Sequence, residues 1–214
     1  MNLADEFALL AHRDDGSPET DGTRLDRGLA GALLLELALA ERIGVEGNKV
    51  VVRDPSPTGD RLVDDALTRI AADERGRKPG EWVAALARDV RVRTLDGLVE
   101  AGVLTKEESK VLLVFDVTRY PATERVEPAA ETEARQRLVA AVSGQGPVEP
   151  RTAALCSLLA ATGLDRKVFA GLDRKRVQAR LKEISEGAWA AAAVKKTIEE
   201  IEAVMLITVV AAAT

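Results

Sequence analysis

Residues 24–43 constrain the fold more than any other segment, because apolar side chains cover nearly every face of the helix that they predict. Leu29, Leu33 and Leu37 follow one stripe at helical spacing, and further leucines lie on the other faces. A helix that is apolar nearly all round belongs at the centre of a domain, with other elements packed around it. Glu36 is the one charged residue between Gly28 and Ala40, so we expect its carboxylate to be paired or to lie at an edge of the core.

The rest of the chain predicts helices around this central one, together with two hairpins. Apolar spacing predicts a helix that opens at Pro79 and others at residues 2–12, 59–74, 88–101, 130–142, 150–162, 173–185 and 188–212. One hairpin is predicted across residues 43–52, and a second within residues 103–117, with a charged turn at 106–110. Aromatic residues make up only 3% of the 214 residues, which favours packed helices over sandwiches or barrels. We therefore expect a mainly α protein, a single globular helical domain over residues 1–214 with one or two short β-hairpins.

Charge and composition exclude several classes of protein. With 30 basic and 35 acidic residues the net charge is −5, which argues against a general nucleic-acid coat and predicts no nucleic-acid partner. The sequence has one cysteine, Cys156, and one histidine, His12. An intramolecular disulfide and a zinc site built from Cys and His alone are therefore excluded. We expect Cys156 in the core and His12 on the surface, at the end of the first helix.

The sequence lacks the motifs of common enzymes and of membrane spans. It has no Walker glycine loop, no dinucleotide Gly-x-Gly-x-x-Gly and no Gly-x-Ser-x-Gly elbow. We therefore expect a protein that is not an enzyme, with no catalytic residues, no cofactor and no metal. The N-terminus has no signal-peptide pattern, and the longest apolar run, residues 203–213, is shorter than the ~20 residues that span a bilayer. These features predict a cytoplasmic protein.

Two pairs of arginines are spaced so that each pair shares a helix face. Arg88 and Arg91 lie three residues apart near the start of one predicted helix, and Arg24 and Arg27 near the start of another. Two guanidinium groups on one face can bind phosphate oxygens through paired hydrogen bonds. By spacing alone, an ordinary solvated face remains open for each pair and is the commoner case.

The second predicted hairpin carries an apolar run, Leu112, Leu113, Val114 and Phe115. In a strand these residues alternate between the two faces, so both faces need cover. Three kinds of cover remain open: the core of this domain, a partner subunit in a homo-oligomer, or a membrane surface.

Several motifs occur in a characteristic order along the chain. They are Gly28-Leu29-x-Gly31, Glu36-Leu37-Ala38-Leu39, Pro57-Thr58-Gly59-Asp60, Leu98-Val99-Glu100-x-Gly102-Val103-Leu104 and Phe115-Asp116. In this order and spacing the sequence resembles the Golgi phosphoprotein 3 family over nearly its whole length. The resemblance implies a mainly helical, non-catalytic protein that associates peripherally with membranes by recognising phosphatidylinositol 4-phosphate. It also implies cytoplasmic tails of membrane proteins as partners, since eukaryotic members hold glycosyltransferases in the Golgi through such tails.

The resemblance also implies a headgroup site, which this sequence matches in part. Family members use one tryptophan and three arginines, and two of these arginines fall on Arg88 and Arg91. The third falls on Ala30, and no aromatic residue occurs between Phe7 and Trp82 to supply the tryptophan. Arg27 lies one helical turn before Ala30, and its spacing makes it a substitute charge. The resulting prediction is a lipid headgroup site of Arg88, Arg91 and Arg27, with residues 107–118 matching the family's oligomerisation hairpin.

Two other functions remain open. Helix-plus-hairpin units with arginines on the helix also fit a winged-helix-like nucleic-acid-binding regulator, although the acidic balance argues against it. A protein-interaction scaffold without lipid binding is the third possibility, in which the arginines pair with carboxylates.

Overall fold

The computed structural model describes residues 1–111, 115–123, 127–187 and 192–211. Within these ranges the strands are β1 (Ile43–Glu46), β2 (Lys49–Val52), β3 (Glu107–Val111) and β4 (Phe115–Arg119). The helices are α1 (Leu3–Leu10), α2 (Gly22–Leu39), α3 (Arg61–Ala71), α4 (Pro79–Leu86), α5 (Val90–Glu100), α6 (Ala129–Ser143), α7 (Pro150–Thr162), α8 (Asp165–Val168), α9 (Arg174–Glu186) and α10 (Ala192–Ala211). The prediction of a mainly α fold with short hairpins is confirmed.

Helix α2 forms the centre of the core, as its composition predicts. Leu29, Leu34 and Leu37 have no exposed surface, and helices α1, α4, α5, α7 and α10 all pack against it. Each fully buried leucine contributes about 1.5–3 kcal/mol through removal of its side chain from water. Burial on all sides therefore explains why the leucines of α2 do not keep to one stripe.

Two glycines in α2 let neighbouring helices come close. A Cβ at Gly28 would overlap the ring of Phe7 on α1, and a Cβ at Gly31 would overlap the side chain of Met205 on α10. Larger residues at either position would push these neighbours away and leave the core less densely packed. The spacing of these two glycines in the sequence motif thus has a packing explanation.

Glu36 is paired, and it belongs to a partly buried ion cluster that joins four helices. Its carboxylate accepts a hydrogen bond from the backbone N–H of Leu3 at 2.7 Å and forms an ion pair with Arg151 at 2.9 Å. Glu6 of α1 accepts hydrogen bonds from both Arg151 and Arg137, at 3.2 and 2.9 Å. Carboxylates that lose water in this way need such partners. The cluster ties α1 and α2 to α6 and α7.

The first hairpin has the predicted form. Strands β1 and β2 are antiparallel, with Ile43 opposite Val52 and Glu46 opposite Lys49. Gly47 and Asn48 both have positive φ, 56° and 63°, as a two-residue hairpin turn of the I′ type requires. Glycine and asparagine tolerate this conformation, so the turn follows directly from the sequence.

The predicted turn of the second hairpin is wrong. Residues 106–110 were expected to form a charged turn, but Glu107–Val111 is strand β3, which pairs antiparallel with β4 from Glu107 opposite Arg119 to Val111 opposite Phe115. The register also places Glu108 opposite Thr118. Polar side chains are compatible with a strand of a two-stranded ribbon, so charge alone does not mark a turn. Leu112, Leu113 and Val114 lie outside the described residues.

Candidate functional site

A pocket of about 350 Å³ lies between the first turns of α2, the start of α5 and the end of β4. The charged and polar residues around it include Arg88, Arg91, Asp26 and His12. Val92 stands beside them with 57% of its surface exposed. The pocket therefore combines charged groups with an apolar side chain that reaches solvent.

One wall of the pocket is held by backbone contacts between the loop after α1 and the end of the second hairpin. The backbone N–H of Tyr120 donates to the carbonyl of Gly16 at 3.3 Å. Gly16 has φ +74°, and a Cβ there would overlap the backbone of Tyr120 and Pro121. Only glycine adopts this conformation at such a close approach without strain. The loop and the base of the hairpin therefore form one continuous surface.

Arg88 is the most available charge in the pocket. Its side chain is exposed, and within the described ranges it makes neither a hydrogen bond nor an ion pair. The neighbouring carboxylate of Asp89 is engaged elsewhere, because it accepts a hydrogen bond from Arg69 at 3.2 Å and lies 3.8 Å from Arg93. The guanidinium group of Arg88 can therefore bind an anion without first releasing a protein partner.

Arg91 is in a different state, because its guanidinium group already holds a carboxylate. Its Nε and Nη2 atoms each donate to one oxygen of Asp26 at 2.6 Å, and Nη2 also lies 3.3 Å from the carbonyl oxygen of Gly22. This two-point pairing raises the pKa of Arg91 above its usual value, so the group stays charged. Nη1 makes no hydrogen bond to any residue of the described ranges, and it is the part of Arg91 that remains for a ligand.

Sequence reasoning placed three arginines at this site, and the structure brings two of them together. Arg88 and Arg91 line the same pocket, whereas Arg27 is not among the residues that surround it. Arg27 is half-buried and has an interaction of its own. Ala30, where the resemblance puts the third family arginine, is fully buried in the core. Neither position adds a charge to the pocket.

Sequence reasoning missed Asp26 and misjudged His12. Asp26 lies 65 residues from Arg91 along the chain, so no local pattern signals their contact.

His12 was expected on the surface, but it is half-buried, and its Nδ1 lies 2.7 Å from the carbonyl oxygen of Ala8. Burial lowers the pKa of His12, and the positive charge of Arg91 adds to this effect. The imidazole is therefore neutral at pH 7.

The Pro57-Thr58-Gly59-Asp60 motif has a structural role away from the pocket. Asp60 caps α3 by accepting from the N–H groups of Leu62 and Val63. Its other oxygen accepts from the side-chain amide of Asn2 at 2.9 Å. The carboxylate of Asp64 in turn accepts from Thr58. These contacts fasten the start of α3 to the N-terminus of α1.

Within the described parts of the chain, no helix has the length and apolar character that crossing a membrane requires. Those parts also bring no three His, Cys, Asp or Glu side chains together as a metal site would need.

The fold defines a class of mainly helical domains built on one buried helix with two short hairpins. Comparison with known families makes the assignment specific. The family model described as Golgi phosphoprotein 3 (GPP34) matches residues 3–201, so the chain belongs to the Golgi phosphoprotein 3 family. It is also similar to vacuolar protein sorting-associated protein 74 of Eremothecium gossypii, with 29% identity over 152 residues. That alignment covers 58% of this chain and 44% of the relative, so it spans less than half of the relative's length.

Proposed function

We propose that this chain is a non-catalytic, peripheral membrane adaptor that binds anionic phospholipid headgroups at the pocket of Arg88 and Arg91. The observation that carries the proposal is the exposed guanidinium of Arg88, which has no hydrogen bond or ion pair within the described residues. It lies beside an open pocket that also contains Arg91. Membership of the Golgi phosphoprotein 3 family supports it, because the resemblance implies phosphatidylinositol 4-phosphate as ligand. It also implies cytoplasmic tails of membrane proteins as clients and the cytoplasmic face of a membrane as location.

The strength of such a site follows from its charges. A hydrogen bond to a charged group contributes about 1.5–3 kcal/mol, and each basic residue near an anionic surface about 1 kcal/mol more. Arg88 and the free edge of Arg91 together contribute roughly 3–6 kcal/mol, which corresponds to millimolar or somewhat tighter binding. Stable residence on a membrane therefore requires a second contact.

The apolar run from Leu112 to Phe115 supplies that contact in the proposal. Burial of a leucine or phenylalanine side chain in a membrane adds about 1.5–3 kcal/mol. Self-association through the same hairpin would instead multiply several weak headgroup contacts. Either route would turn weak headgroup binding into stable membrane attachment. The oligomeric state of the protein on vesicles distinguishes insertion of the apolar side chains from self-association.

The test is co-sedimentation with phosphatidylcholine vesicles that contain phosphatidylinositol 4-phosphate. We expect Arg88→Glu to weaken binding at least about tenfold, because it replaces an attractive charge by a repulsive one. Arg75→Glu is the matched control, since Arg75 is exposed and without a hydrogen bond or ion pair in the described ranges and lies outside the pocket. Binding should also fall with added salt, because exposed charges are screened.

Three results would contradict the proposal. The first is that the wild-type protein binds no anionic vesicle at all. The second is that Arg88→Glu binds as well as wild type, and the third is that Arg75→Glu loses as much binding as Arg88→Glu. A shift of random duplex DNA at physiological salt would favour the nucleic-acid regulator instead. Client binding that is unaffected by Arg88→Glu, without any vesicle binding, would favour the protein-interaction scaffold.

A further inference from the structure

Val92 is a large apolar side chain that the fold leaves in solvent beside the arginine pocket. It lies in the first turn of α5, next to Arg91 in the chain, and lines the pocket together with Arg88. In the part of the chain that the structure describes, Val92 and Met1 are the large apolar residues with most of their surface exposed, 57% and 55%. A single exposed apolar residue is common on protein surfaces, so the surroundings of Val92 decide whether it has a role.

Packing of the core does not account for Val92. The buried face of α5 carries Val90, Leu95 and Leu98, each of which is 2% exposed. These three residues belong to the hydrophobic core, whereas Val92 lies outside that face of the helix. Its contact with water is unfavourable, and transfer into an apolar medium would recover that free energy. Val92 is therefore available for a contact outside the fold.

The charges beside Val92 favour an anionic bilayer over an apolar protein surface as that contact. Arg88 is exposed and makes no hydrogen bond or ion pair with any described residue. Asp96, one helical turn after Val92, is compensated by Lys106 at 3.8 Å. An apolar protein surface that covered Val92 would also strip water from Arg88 without supplying a counter-ion. The interface of an anionic bilayer offers phosphates next to acyl chains and thus matches both side chains.

We infer that Val92 is a membrane anchor, whose side chain enters the interfacial layer of an anionic bilayer while Arg88 binds a headgroup phosphate. The inference rests on the proposed function and adds to it a further contact residue and an orientation. The N-terminal end of α5 faces the bilayer, so that the charge and the apolar side chain reach it together. Val92 is separate from the apolar run from Leu112 to Phe115, and its contact does not depend on the second hairpin.

The strength of this contact and its response to salt follow from its apolar character. Apolar side chains at a membrane interface are buried about 5–10 Å into the boundary between headgroups and acyl chains. Transfer of the exposed part of a valine side chain corresponds to about a five- to tenfold gain in affinity. Salt screens the contribution of Arg88 but not that of Val92, because apolar burial involves no charge.

The experiment is co-sedimentation with phosphatidylcholine vesicles that contain phosphatidylinositol 4-phosphate, at about 0.1 and about 0.3 M sodium chloride. Val92→Gln removes the apolar side chain and introduces a good helix former. We expect it to bind about five- to tenfold more weakly than wild type, by the same factor at both salt concentrations. Val92→Leu adds one methylene and should bind about three- to fourfold more tightly than wild type.

A fluorescent label reports the contact directly. Val92→Cys, labelled with an environment-sensitive fluorophore, should shift its emission to shorter wavelength when vesicles are added, because the label leaves water. Cys156 is buried and should stay unlabelled in the native protein. The same label on Ala179→Cys should show no shift, since Ala179 is exposed on α9 outside the pocket.

Two controls isolate the effect of Val92. Ala179→Gln introduces the same side chain at an exposed helical position outside the pocket and should bind vesicles as wild type does. Sedimentation without vesicles tests for self-association, and Val92→Gln should have the oligomeric state of the wild type. A changed oligomeric state would mean that Val92 lies between copies of this chain, which would overturn the inference.

The outcomes separate this inference from the proposed function. If Arg88→Glu weakens vesicle binding while Val92→Gln binds as wild type, the inference is wrong and the proposed function stands. A loss for Val92→Gln without an emission shift at position 92 would mean that Val92 only supports the pocket, and this too would overturn the inference. If the wild type binds no anionic vesicle, the proposed function fails and the inference fails with it.

Discussion

Replacement of Arg151 by methionine tests whether the ion cluster beneath the N-terminus stabilises the fold. Arg151 donates to Glu6 and to both oxygens of Glu36, at distances between 2.9 and 3.2 Å, and to the carbonyl oxygen of Met1. The carboxylates of Glu6 and Glu36 are only 10% and 20% exposed. Methionine keeps much of the apolar stem and removes the charge that compensates Glu36. Glu6 keeps its ion pair with Arg137 at 2.9 Å.

The expected loss follows from these exposures. Removal of one partner from a buried ion pair costs about 3–5 kcal/mol, because the other charge stays buried without compensation. Arg151 itself is 28% exposed, so water supplies part of the compensation. We therefore expect Arg151→Met to lower the free energy of unfolding by about 2–3 kcal/mol, a large part of the roughly 5–15 kcal/mol typical of a domain.

The assay is urea unfolding at pH 7, followed by circular dichroism. Arg166→Met is the matched control: Arg166 is exposed and makes no ion pair or hydrogen bond in the described ranges, so its loss should be within about 0.5 kcal/mol. The double variant Glu36→Gln with Arg151→Met should lose less than the sum of the single variants, since the two residues are in contact. Equal losses for Arg151→Met and Arg166→Met would refute the reasoning.

Two further predictions concern titratable groups whose pKa is raised by partial or full burial. Burial, with a contribution from nearby Asp60, raises the pKa of Asp5 from 3.8 to about 6. The folded protein therefore holds a proton that the unfolded chain releases, and the free energy of unfolding should fall as the pH rises from about 4 to about 6. Asp5→Asn should lose this part of the pH dependence in urea titrations, and an identical slope in both proteins would contradict the assignment. Burial likewise raises the pKa of the Cys156 thiol to about 12, so Ellman's reagent at pH 8 should label it in urea and leave it unlabelled in the native protein, whereas rapid native labelling would show an accessible thiol.

Much of the fold was predictable because its signals are local. The buried nature of α2 follows from leucines on all its faces, and the first hairpin from a Gly47-Asn48 turn between two apolar strands. The second hairpin was predicted to exist, but its turn was misplaced. Its strand β3 is rich in charged residues, so its pairing partner, rather than its composition, decides its conformation.

The candidate site was predictable only in part. Spacing predicted Arg88 and Arg91 on one helix face, and the family resemblance singled out the same two residues. In the structure Arg88 lies in the turn before α5, which begins at Val90, yet both arginines line the pocket. Neither indicated that Arg27 does not line the pocket, or that one of the two arginines already holds a carboxylate. Helical spacing describes one helix at a time, whereas a pocket depends on how several helices are placed.

The sequence by itself determined where the longer helices form, which helix lies at the centre and to which family the chain is similar, whereas the short α8 was not predicted. These properties depend on the order of apolar and polar residues over one or two turns, and on short motifs. Only the tertiary structure decided that Asp26 meets Arg91 and that Arg88 has no partner in the part of the chain that the structure describes. Such pairings join residues that are far apart in the chain, because packing of α2 against α5 sets the distance between their charges.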